Sequence, residues 1–174
     1  MTATAPKFFK AIADLSVATP GQYDYLAREL RAAGAIPSST RGQSAPAITR
    51  AQAVAILVAV AINAKPSEAV ALLPEWLAAA SEEGGNTLAH ELESILSSDA
   101  DDVAEVRIAR DRPFAVVLRS DGSVAEFGLT DHKAAIAAGY IVAPLRVEFV
   151  MSDGGLAALA GEFRETGGGW GKHP

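Results

Sequence analysis

Cysteine is absent from the chain, which excludes structural disulfides, thiolate nucleophiles and cysteine-ligated zinc and makes a reducing, cytoplasmic compartment the expected one. Histidine is scarce: His90, His132 and His173 fall in three separate segments, so the i, i+4 histidine pair of a zinc-protease helix cannot form, and no metal is expected. Long apolar runs are missing too. The longest, AVAILVAVAI, has ten residues, half of the roughly 20 that a bilayer crossing needs. The opening MTATAPKFFKAIADL lacks the long apolar core of a secretory signal, so no membrane is expected. Also missing are a GxxxxGK[ST] phosphate loop, a strand-linked GxGxxG and a GxSxG elbow, and nothing after Gly167-Gly168-Gly169 can form the helix a phosphate cradle requires. No acid pair stands in the hydrophobic setting that raises a carboxyl pKa for acid-base work. The expectation is a non-enzyme, with no catalytic residue and no cofactor.

One sign of charge is missing from one stretch. Residues 66–105 carry ten acids and no base, within a chain of formal net charge −6. Residues 1–65 run the other way, with seven Lys or Arg against three acids, a balance of +4, and residues 106–174 hold eight of each. Such segregation points to an N-terminal part that faces a polyanion and an acidic middle that faces solvent or a basic protein partner.

What is present is strong periodicity, with 49% apolar residues in 174, enough for a real core although the alanines each bury little area. Phe8, Phe9, Ile12 and Leu15 fit a helix over 6–15. Thr19-Pro20-Gly21-Gln22 announces a second helix that stops at Gly34, with Tyr23, Leu26, Ala27 and Leu30 on its core face and Arg28 and Arg31 on other sides. Thr49-Arg50-Ala51-Gln52 repeats the start signal for helix 50–64, which is apolar nearly all round and so reads as a central strut. A fourth pattern covers 67–80, interrupted at Pro74, with Trp76 and Leu77 closing over the core. Ser81-Glu82-Glu83-Gly84-Gly85 reads as a hinge, and Asn86 or Thr87 caps helix 86–97, with His90, Glu91 and Glu93 on its solvated face.

After Ser97 the period changes from 3.6 to 2. Val106 and Ile108 alternate with Glu105 and Arg107; Phe114, Val116 and Leu118 with Val117 and Arg119; Val124 and Glu126 with Ala125 and Phe127. Asp121-Gly122 is a hairpin signal between the last two runs, which makes a three-stranded meander over 103–128. A short helix over 131–138, one or two strands in YIVAPLRVEFVM and a last helix opened by Asp153 follow. The expected fold is α+β: a helical, helix-turn-helix-like domain over 1–98 with a basic loop at 35–48, an α+β unit over 103–163 built on an antiparallel meander, and a flexible tail over 164–174.

The loop SSTRGQSAPAI is long for a helix pair, longer than the tight turn of a helix-turn-helix, and long connections tend to be functional. Gly42 permits close backbone approach, Thr40 and Gln43 can donate to phosphate oxygens, and Arg41 can enter a minor groove or pair with guanine. Arg50 lies in the first turn of its helix, where a cation opposes the dipole unless an anion sits there. The candidate DNA-binding residues are therefore Arg28, Arg31, Thr40, Arg41, Gly42, Gln43 and Arg50. LARELRAAGAIPSSTRGQSAPAITRAQAVAILVAVA resembles the N-terminal part of small phage- and prophage-encoded proteins, with Arg41, Gly42, Pro46 and Thr49 as the matching positions. The resemblance implies a transcriptional-regulatory or DNA-packaging role on double-stranded DNA. A homodimer is expected from the apolar surplus of helix 50–64 and from the edges of strands 114–118 and 124–128. The rival expectation is a protein-interaction or inhibitory module that works through the acidic segment 66–105.

Overall fold

Helix α3, Arg50–Ile62, is the strut on which the rest is hung: Ala53 to Ala59, Ala61 and Ile62 are all buried, which a near-uniform apolar surface demands. Coordinates come from a computed structural model that describes residues 3–15, 20–38, 44–62, 64–81, 85–97, 102–128 and 148–163. Around α3 stand α1 (Ala5–Leu15), α2 (Pro20–Ala32), α4 (Pro66–Leu77) and α5 (Leu88–Ser97). Four strands follow, β1 (Val103–Ala109), β2 (Phe114–Arg119), β3 (Val124–Gly128) and β4 (Glu148–Ser152), and then α6 (Asp153–Gly161). The fold is α+β, helices first and then an antiparallel sheet in the order β3-β2-β1-β4. The helix expected over 131–138 and the tail lie outside the described residues.

The start of α3 is a reciprocal capping box. The Thr49 amide donates to Gln52 Oε1 at 2.9 Å and the Gln52 amide to Thr49 Oγ1 at 3.2 Å, which satisfies two of the helix's orphan donors. Thr87 caps α5 from one side only, its Oγ1 accepting from the His90 amide at 3.3 Å. Pro74 does not interrupt α4 as expected, since the helix runs unbroken to Leu77. Proline in a helix interior costs about 3 kcal/mol. Here Leu73 and Trp76, buried on either side of it, hold the helix through.

Trp76 also joins the helices to the sheet: its indole N–H donates to the Ala109 carbonyl at 2.9 Å, inside the core. The buried side chains form one continuous cluster from Phe8 and Ile12 through α3 and α4 to Val106, Ile108, Ala115, Val117, Phe127 and Leu156. Val106 stands opposite Val117 and Ile108 opposite Ala115, so Ala115 and Val117 face the helices and Val116 and Leu118 point away. Alternation alone does not settle this phase, because Phe114 to Leu118 is apolar throughout and only the pairing with β1 distinguishes its two faces.

The segment expected to be a hinge is tied down at its start. Ala80 bridges to Thr87 and Ser81 to Phe127, and the Gly128 amide donates to the Ala80 carbonyl at 2.8 Å, so residues 79–81 cover the outer edge of β3. Gly128 must be glycine: its φ is 82°, and a Cβ there would stand 1.9 Å from the Pro113 carbonyl oxygen. Of the surfaces expected to drive a homodimer, α3 is buried within the chain and β2 lies inside the sheet, while β3 is covered by residues 80–81 at its Phe127–Gly128 end.

Candidate nucleic-acid interface

Arg50 is the first residue of α3, and the box closed by Thr49 and Gln52 presents its side chain to solvent, with the guanidinium 5.8 Å from the centre of the Phe163 ring. Phe163 is itself packed edge-on against Phe8, with ring centres 5.8 Å apart. A cavity of about 630 Å³ opens here, walled by Thr49, Arg50 and Ala51 on one side and by α5 on the other. The α5 wall is His90, Glu93, Ser94 and Ser97. Arg50, His90 and the Ser94 hydroxyl suit an anion, while the Ser97 hydroxyl already donates to the Ser94 carbonyl at 2.7 Å and Glu93 repels an anion and limits where it can sit.

Arg28 and Arg31 lie one turn apart on α2. Arg28 is exposed and stacks over Tyr25, its guanidinium carbon 4.5 Å from the ring centre. Arg31 is half-buried at a groove of about 320 Å³ between α1 and α2, whose rim also holds Lys10, Asp14 and Asp24. Lys10 and Asp14 neutralise one another at 2.6 Å. The Arg31 groove and the Arg50 cavity share no lining residue, so the expected arginines are divided between two places. Among the described residues, Arg28, Arg31 and Arg50 have no carboxylate within ion-pair distance.

Thr40, Arg41, Gly42 and Gln43 lie outside the described residues. The two ends of their loop are anchored: the Ile36 amide bonds back to the Leu30 carbonyl at 3.4 Å, and the Ile48 amide to the Ala3 carbonyl at 2.9 Å. Ile36 and Ile48 are both buried, so the chain leaves the core at one and returns at the other, directly before Thr49 and Arg50.

Glu91 does not belong to the solvated acidic face on which it was expected. It is only 7% exposed, and its Oε1 accepts from Arg119, whose other terminal nitrogen donates to Asp102. Sequence reasoning missed the α5 wall of the Arg50 cavity, although a signal for it exists: positions 90, 93, 94 and 97 are polar at i, i+3, i+4 and i+7, a stripe opposite Leu88, Leu92 and Ile95. No family model, curated protein or solved structure matches this chain.

Proposed function

We propose that this chain is a non-enzymatic, DNA-binding regulatory protein of the phage type, working in the cytoplasm and holding the phosphate backbone against α2, the 35–48 loop and the start of α3. The observation that carries the reading is the availability of Arg28, Arg31 and Arg50. In a chain with 21 acids against 15 Lys and Arg, these arginines have no carboxylate partner among the described residues, which suits a surface kept for an external anion. Arg41, with Thr40, Gly42 and Gln43 beside it, adds the loop contact. The end of that loop is pinned at Ile48, next to Arg50, and this supports a common surface for the two. The rival reading, an interaction module that uses the acidic segment 66–105 to engage a basic protein, loses Glu91 to the buried pair with Arg119. It is ranked second for that reason.

Fluorescence anisotropy with random-sequence duplex DNA across a salt series tests the proposal. Replacing Arg28, Arg31, Arg41 or Arg50 by alanine is expected to weaken binding and to lower the log–log salt slope by about one per lost phosphate contact. Absence of binding at about 50 mM salt, where nonspecific phosphate contacts are strong, would sink it and move the acidic module to the front.

A further inference from the structure

Of the two outer strands of the sheet, β3 is capped by residues 80–81 at its Phe127–Gly128 end, whereas β4 pairs with β1 alone along its whole length among the described residues. An open edge offers a row of unpaired amides and carbonyls to any strand that can match it. Beside that edge lies a cavity of about 270 Å³ between the end of α1, β4 and α6, lined by Ile12, Leu15, Phe149, Met151 and Leu159. Two of the largest exposed apolar side chains of the molecule stand at this place, Leu15 at 49% and Val150 at 54%. The cavity is on the helical face, where the inward side chains of one more strand would go, since Phe149 and Met151 already point there opposite Ile108 and Val106.

We propose that β4 is the docking surface for β4 of a second copy of this chain, antiparallel, which joins two sheets into one of eight strands. The strand is suited to itself. The register that pairs all five residues of Glu148–Ser152 is centred on Val150, and it sets Glu148 opposite Ser152 and Phe149 opposite Met151. No like charges meet in that register, and Phe149 of each copy stands beside Met151 of the other on the helical face, between the two apolar cavities. A two-fold axis through Val150 makes the contact isologous and closed, so it ends at a dimer and does not propagate into a fibre. This surface is separate from the arginines of α2 and α3, and its test does not depend on DNA.

The absence of cysteine permits a clean experiment. Val150→Cys places one thiol per chain on the proposed axis, and directly opposed residues of antiparallel strands bring their Cβ atoms to about 4.5–5.5 Å. Rapid oxidation or short bis-maleimide cross-linking to a covalent dimer is expected, with Val124→Cys on the outer face of β3 as the slow control. Val150 points outward, so Val150→Lys should leave the circular dichroism unchanged while setting two cations face to face, which weakens the dimer seen by sedimentation equilibrium about tenfold or more. An 18.0 kDa monomer for the unmodified chain at tens of micromolar overturns the proposal. Cross-linking no faster at position 150 than at 124, or a dimer indifferent to Val150→Lys, overturns it as well.

Discussion

In the sheet, Arg107 faces Glu105, Arg112 faces Asp111 at 3.2 Å, and Arg119 faces both Glu91 and Asp102; in the helices, Arg28, Arg31 and Arg50 face no carboxylate among the described residues. Arg110, in the turn between β1 and β2, departs from this pattern, with Nε buried and without a hydrogen bond among the described residues. The contrast follows local composition, because residues 1–65 hold three acids for seven bases, whereas the sheet arginines draw on the base-free segment 66–105 for Glu91, Asp102 and Glu105. A paired, partly buried arginine is part of the structure, and its loss leaves a carboxylate stranded. An arginine on a helix without a carboxylate partner contributes less to folding, chiefly through ring stacking such as that of Arg28 on Tyr25. On the proposed DNA-binding reading, the arginines that hold the fold and those that hold DNA are therefore different residues in different halves.

Trp76 is the joint between those halves, and removing it gives the largest effect expected. Trp76→Ala should cost about 3–5 kcal/mol, because it empties a buried ring-sized space and strands the Ala109 carbonyl. Urea unfolding followed by far-ultraviolet circular dichroism is expected to show the helical and strand signals lost together. Two separated transitions would mean that 1–98 and 103–163 fold as independent units, and that the contrast between the regions is one between domains.

Next in size is the direct exchange between the two kinds of arginine. Arg119→Ala leaves Glu91 buried without its cation and is expected to cost about 2 kcal/mol, below the range for a fully buried pair because the Arg119 side chain is itself 31% exposed. Arg28→Ala should move stability by no more than about 0.5 kcal/mol. In DNA binding the order should invert, with Arg28→Ala weaker and folded Arg119→Ala unchanged. A pair of variants that shifted stability equally would break the distinction.

These expectations also show where sequence reasoning works. The helices, the capping box at Thr49 and the Asp121-Gly122 hairpin were legible because each is set by neighbours within a few residues. Pro74 misled because a local helix-breaking rule yields to the burial of Leu73 and Trp76, which only the assembled core shows. Glu91 misled for a related reason: helical periodicity gives the face of a residue but not the presence of Arg119 on a strand 28 positions later. The Arg50 cavity was half legible, since Arg50 was singled out by its clash with the helix dipole, while its α5 wall depends on how α3 and α5 meet. The edge of β4, unpaired among the described residues, needed the strand order, in which β4 returns beside β1.

The smallest effect expected sets a neutral device in the helices against a charged one in the sheet. The start of α3 is closed by a hydroxyl and an amide, neither of which titrates. The β2–β3 turn is closed by the Asp121 carboxylate, which accepts the Ser123 amide at 2.8 Å. Hydrogen bonds from the Ser123 side chain and backbone hold the Asp121 pKa below its ordinary value of 3.8. A depressed carboxyl stabilises the fold fully above its unfolded pKa, and that contribution disappears as pH falls through the lower, folded value. Asp121 is fully exposed, so its effect belongs to the turn and leaves the core alone. An acid titration followed by amide NMR should therefore move Ser123 and Gly122 while Gln52 stays still, and Asp121→Asn should abolish the movement at Ser123. Equal movement at Gln52 would mean that acid loosens the whole molecule, and the local contrast between the two closures would fail.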